Sequence, residues 1–193
     1  MRLRMIVFLA ALGAIVLSGC TGMDPGGLFK SPLATKPGVV DSREAASLIS
    51  QYRRQHGQGG VSVDPALTRI AVAHSKRMAA ANKMAHVLPG EGSFRQRLSA
   101  GGFNGGTAAE NVAAGQKNLT SVLESWRRSP GHNKNLLMPG VTHIGIAVAV
   151  APDSRYKNFW TLVLGSPGEA RVVTLPNAGP AVVAVGGGIV GAN

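Results

Sequence analysis

Val141-Thr142-His143-Ile144-Gly145-Ile146-Ala147-Val148-Ala149-Val150 reads with a period of two. Ile144, Ile146, Val148 and Val150 fall on one face, and Gly145, Ala147 and Ala149 on the other. Successive side chains of a strand point to opposite faces. Here both faces are apolar or small, so the pattern predicts a strand covered on both sides. Phe159 to Leu164 reads as a second such strand, with Pro152-Asp153-Ser154 as the turn between them.

Upstream the period is helical. Asp41 reads as the N-cap of a helix, with Glu44 three residues on and Ala45, Leu48, Ile49 and Tyr52 on one buried face. Gly57 and Gly59-Gly60 end it. Asp64-Pro65 opens a second helix whose apolar face runs through Leu67, Ile70, Ala71, His74, Met78, Ala81 and Ala85. A short helix is predicted around Phe94 to Leu98. Ser121 and Glu124 predict a capping box that opens a helix burying Val122, Leu123 and Trp126, closed by Ser129-Pro130-Gly131. Helices early and strands late predict an α+β domain with helices on both faces of a small antiparallel sheet.

Before the first helix, Arg2 and Arg4 precede an uncharged apolar run from Met5 to Leu17. The run is shorter than the ~20 residues of a membrane span, and the pattern predicts a secretory signal peptide over residues 1–19. Leu17-Ser18-Gly19-Cys20 resembles the lipobox of bacterial lipoproteins, in which the thiol is lipidated with diacylglycerol and acyl chains such as palmitate. Cys20 is the chain's one cysteine; once acylated it leaves no thiol for a disulfide, so the domain must rest on its hydrophobic core. Residues 20–40, with Pro25, Pro32 and Pro37 among glycines, read as a tether. The folded domain is expected over 41–165, followed by a Gly/Pro/Ala/Val-rich tail over 166–193. Thr21 stands where an aspartate retains some lipoproteins in the inner membrane, which favours the outer membrane of a bacterial envelope.

The net charge is +11; without Arg2 and Arg4, 18 basic against 9 acidic residues leave +9. Such a surface suits a lipid head group or an anionic envelope polymer. Aromatic residues make up only 5% of the chain, and no helix-turn-helix, zinc-finger or stacking-platform pattern occurs, so nucleic acid is not an expected partner. Gly-x-Ser-x-Gly, His-Glu-x-x-His and phosphate-loop patterns are also absent from the sequence.

Five segments carry polar groups at the ends of apolar elements: Ala73-His74-Ser75, Lys83-Met84-Ala85-His86, Ala109-Glu110-Asn111-Val112-Ala113, the stretch from Trp126 through Ser129-Pro130-Gly131-His132 to Asn133, and Thr142-His143-Ile144-Gly145. Their order resembles the bacterial branch of the CAP superfamily, which groups cysteine-rich secretory proteins, antigen 5 and pathogenesis-related proteins. The resemblance implies an α-β-α sandwich with a cleft holding two histidines and two acids. The first histidine carries onto His86, the first acid onto Glu110 and the second histidine onto His132. The second acid falls on Ser129, and Leu162 stands where bacterial relatives usually carry glutamine.

Two neutral imidazoles and a carboxylate are a donor set for a first-row metal, zinc (Zn2+) by default, with Glu110 as a ligand or in the outer shell. The same three residues are also the candidates for acid–base catalysis, or for hydrogen bonds that merely tie loops together. His74 is expected to be a satisfied core histidine, Glu124 a capping residue and His143 a structural or rim residue. The pairs Arg53-Arg54, Lys76-Arg77 and Arg127-Arg128 are expected on solvated helix faces. The expected function is a lipid-anchored, extracytoplasmic binding or scaffolding module whose His86/Glu110/His132 cleft takes a small ligand, a lipid or a divalent metal. The alternatives are a metal-assisted hydrolase or peptidase using that cleft, and a structural envelope protein held to anionic polymer by charge.

Overall fold

The computed structural model describes residues 38–166. The expected signal peptide, Cys20, and the tether and tail apart from their inner ends lie outside the described residues. Asp41 Oδ1 accepts from the backbone N–H groups of Arg43 and Glu44 and opens α1, Ser42–Gln55. Asp64 caps α2, Pro65–Ala80, by accepting from Leu67 N–H at 2.7 Å, and Pro65 sits where its missing N–H costs nothing. The predicted face of α2 runs on to Ala85. The helix stops earlier because Asn82 adopts a left-handed φ of 46° and Lys83 N–H turns back to Met78 O. Ser93 and Gln96 form the capping box of α3, Phe94–Ala100.

The helix around Trp126 departs from expectation at both ends. α4 spans Leu119–Arg128, and its capping box pairs Asn118 with Ser121 rather than Ser121 with Glu124. Asparagine is as good an N-cap as serine, and it stands three residues earlier. Glu124 lies inside the helix, 2.8 Å from Arg127. Ser129-Pro130 closes α4 but also opens another helix, α5, Pro130–Leu136, with the proline in its first turn.

Four strands make one sheet. β3, His143–Ala151, and β4, Lys157–Gly165, form the predicted hairpin, in register from His143 opposite Gly165 to Ala151 opposite Lys157. β2, Ala108–Ala114, lies antiparallel on the other side of β4, and β1, Ser62–Val63, runs parallel to β3. The order is β1-β3-β4-β2, so the sheet is mixed rather than antiparallel throughout. Neither β1 nor β2 is announced by its sequence: two residues are too few for a pattern, and an alanine-rich strand with Glu-Asn at its centre has weak β propensity. β2 is an edge strand whose outward carbonyls at Glu110 and Val112 accept from Asn135 Nδ2 and Trp126 Nε1, each at 3.3 Å. That blocks further strand pairing there.

Helices cover both faces. On one side α1, α4 and α5 enclose Ile49, Leu123, Trp126, Ile144, Ile146 and Leu162. On the other, α2 and α3 pack Leu67, Ile70 and Phe94 onto Ala147 and Val163, and Met78 of α2 with Leu88 of the connecting loop packs onto Val112 and Phe159. The expected α-β-α layering is therefore present. Gly145 sets the spacing of its second interface, since a Cβ there would stand 2.1 Å from the backbone of Leu67 and Thr68. Val150, at the strand end, is 40% exposed and escapes the two-sided coverage.

Arg53 overturns the solvated-face expectation for its own half of the Arg53-Arg54 pair. It is fully buried, and its guanidinium donates to the carbonyls of Gly59, Leu136, Met138 and Val141 at 2.7–3.1 Å. Five donors in a rigid fork suit that task, and they tie the loops before β1 and β3 to α1. Lys76, Arg77, Arg54 and Arg128 are exposed as expected, and Arg127 is half-buried.

Candidate functional site

Adjacent residues of a strand point to opposite faces, and β2 uses this to reach both helical layers. Glu110 faces the α2/α3 layer, where it is 6% exposed. Arg97, on the inward side of α3, donates Nη1 to Glu110 Oε2 at 2.7 Å and Nη2 to Oε1 at 3.0 Å. His86 Nδ1 lies 3.0 Å from Oε1, and His74 Nε2 3.9 Å from it. Burial alone would raise the Glu110 pKa. The hydrogen bonds from His86 and Arg97, with the charges of His74 and Arg97, outweigh it and hold the carboxyl below its ordinary range.

Arg97 Nη2 also donates to the carbonyl of His86 at 2.8 Å, so one guanidinium positions both the backbone of His86 and the carboxylate that orients its ring. With a carboxylate facing Nδ1, that nitrogen carries the proton and Nε2 keeps the lone pair. The His86 side chain is 57% exposed. Arg97 is absent from the sequence-based set of site residues. The available signal is its spacing: Phe94, Arg97 and Leu98 share one helix face, and Phe94 and Leu98 pack against the core.

Asn111 faces the opposite layer. Its Nδ2 donates to the carbonyl of His132 at 3.1 Å, and its Oδ1 accepts from Asn135 at 2.9 Å. Tyr52 OH donates to Asn133 Oδ1 at 2.8 Å. The first turns of α5 are thereby pinned to β2 and α1, with His132 half-buried. Burial, and then the charge of His86, push the His132 imidazole below its ordinary pKa.

The other expected residues take structural places. His74 is fully buried, with Nδ1 2.7 Å from Glu91 and Nε2 3.0 Å from the carbonyl of Ala85, a satisfied core histidine as expected. His143 is half-buried beside Thr142 Oγ1. Leu162 is a core residue, and Ser129 makes no capping bond with its side chain. Among the described residues no three His, Cys, Asp or Glu side chains are grouped closely enough to hold a metal ion. Both Glu110 oxygens are engaged, Oε2 by Arg97 and Oε1 by Arg97 and His86.

Residues 46–164 match the profile of the cysteine-rich secretory protein family, CAP. The chain belongs to the CAP family. It is 35% identical over 104 residues to the uncharacterized protein YkwD of Bacillus subtilis, a match covering 54% of this chain and 40% of the relative. It is 31% identical over 110 residues to the uncharacterized membrane protein YlbC of the same organism, covering 57% and 32%. The matches therefore span well under half the length of these two relatives. An extracellular protein containing a SCP domain from Bacillus anthracis superposes with a TM-score of 0.57 at 28% identity, over 64% of this chain and 39% of that one. An outer surface protein of Borrelia burgdorferi gives a TM-score of 0.57 at 21% identity, over 68% and 99%; that likeness is one of fold.

Proposed function

We propose that this CAP domain is an extracytoplasmic binding module whose ligand contacts are His86 and His132. The observation that carries this reading is the saturation of Glu110. A carboxylate held by two arginine bonds and a histidine is poorly placed to accept a proton from substrate or water, and serine occupies the position of the family's second acid. The same arrangement suits binding: a carboxylate behind a metal-ligating histidine fixes the tautomer and strengthens the donor. The site is therefore assigned to a divalent metal such as zinc, or to a small polar ligand that two imidazoles can contact. A zinc ion held there would act as a Lewis acid toward an oxygen of its ligand. The hydrolase reading needs a carboxylate that is free to move protons, and the binding reading does not.

The envelope is the proposed location. An extracellular SCP-domain protein and a membrane protein are among the relatives, and Leu17-Ser18-Gly19-Cys20 supplies the proposed lipid anchor, with the outer membrane favoured by Thr21. Mass measurement of the mature N-terminus together with detergent partitioning tests the anchor. A diacylglyceryl adduct on Cys20 is expected, and an unmodified thiol on a protein that stays in the aqueous phase would refute it. Zinc titration of the histidine variants tests the binding site.

A further inference from the structure

The outer surface of the α2/α3 layer carries cations with no exposed carboxylate on either helix. α3 lies alongside α2 in the opposite direction: Arg69, early in α2, reaches the carbonyl of Gly101 after α3, and Arg77, late in α2, reaches that of Pro89 before it. The outer surface of this layer exposes Arg69, Lys76 and Arg77 from α2, Lys83 from the following loop and Arg95 from α3. From Asp64 to Gly106 the chain holds two carboxylates, Asp64 and Glu91. Asp64 is committed to the α2 cap, and Glu91, its side chain 4% exposed, is turned inward onto His74. Asp153, from the β3–β4 turn, lines a groove with Ala79 and Asn82 at the rim of this face. The opposite layer also exposes cations, among them Arg43, Arg54, Arg128 and Lys134, but there the exposed Asp41 lies beside Arg43 and Glu124 pairs with Arg127 and Arg128.

The cationic face is bordered by protruding apolar side chains. Met84 is 48% exposed and Val87 57%, on the loop that follows α2. Neither belongs to the cores beneath, although their neighbours Ala85 and Leu88 do. A soluble polyanion offers such side chains nothing, whereas a bilayer accepts apolar groups at its interface beside cations that contact its head groups. We infer that the outer surface of the α2/α3 layer, with Met84 and Val87 at its edge, docks on a bilayer containing anionic lipid. The inference is independent of the ligand assigned to His86 and His132.

Site-specific labelling of the full chain tests it, because Cys20→Ser removes the only thiol and a new cysteine then marks one face. Val87→Cys carrying an environment-sensitive fluorophore is mixed with phosphatidylcholine vesicles with and without phosphatidylglycerol. Ser47→Cys, exposed on α1 of the opposite layer, is the control. The label at 87 should brighten and shift to the blue only on vesicles with phosphatidylglycerol, and high salt should reverse the change. The label at 47 should stay unchanged. Lys76→Glu, Lys83→Glu and Arg95→Glu together should weaken the response at 87 at least ~tenfold, with circular dichroism unchanged. An equal response at 47, no response at 87, or the same response at 87 to soluble dextran sulfate would overturn the inference, the last in favour of a polymer partner.

Discussion

Arg97 and Glu110, 13 residues apart and both buried, meet through two hydrogen bonds of 2.7 and 3.0 Å that bridge α3 and the edge strand β2. The pair explains how an acidic side chain can be buried behind His86 while it stays charged. It also makes the fold depend on a charge balance inside the α2/α3 layer.

Removing one partner should therefore cost far more than removing both. Arg97→Met leaves a buried carboxylate without its cationic partner, with only the histidine bond at Oε1, and should destabilise by ~3–5 kcal/mol. Arg97→Met with Glu110→Leu should fall well short of the sum of the single losses. Urea unfolding of the four species measures the coupling.

Two glycines should respond oppositely to alanine. Gly145→Ala drives a methyl group into the backbone of α2 at Leu67 and Thr68 and should cost ~1–3 kcal/mol or more. Gly131→Ala, within α5 with nothing within 4 Å of the new carbon, should be neutral or stabilise by up to ~1 kcal/mol. Thermal unfolding separates them.

Arg53→Met should be among the most damaging changes in α1, because it removes the donors of the carbonyls of Gly59, Leu136, Met138 and Val141. A loss of at least ~3 kcal/mol is expected, since each buried acceptor left unpaired carries its own desolvation penalty. Arg53→Lys should recover only part of it, because an ammonium lacks the planar fork. Denaturant midpoints of the two variants provide the comparison.

What can be read from sequence divides along the range of the interactions involved. The Asp41 and Asp64 caps and the period-two β3–β4 hairpin depend on neighbours a few residues away, and the structure follows them. The burial of Arg53 depends on carbonyls as far off as Val141, 88 residues along the chain, and residue type alone points an arginine to solvent. β2 is hidden because its alanines carry little strand preference and its Glu-Asn centre is stabilised by Arg97, Asn135 and the carbonyl of His132. His86, Glu110 and His132 are legible only through the family resemblance. Arg97, which holds the Glu110 carboxylate and the carbonyl of His86, is not legible even there, because its partners come from a loop and a strand that sequence alone does not bring to α3.

Acid should loosen the domain in two stages. The folded-state pKa values of His132 and Glu110 are both depressed, so each contributes stability above its ordinary pKa that is lost as pH falls through the lowered value. The His132 contribution should decline below its ordinary value of 6.5. That of Glu110 should decline below 4.5. His132→Asn should flatten the first stage and leave the second, as read from melting temperatures across that range.

Calorimetric titration of zinc into the wild-type protein, the single alanine variants of His86 and His132 and the double variant tests the binding assignment most directly. A binding event in the wild type that weakens as pH falls below about 6, is mostly lost in either single variant and is absent from the double variant is the expected result. Zinc binding that persists unchanged in the folded double variant would contradict the assignment of the site to His86 and His132.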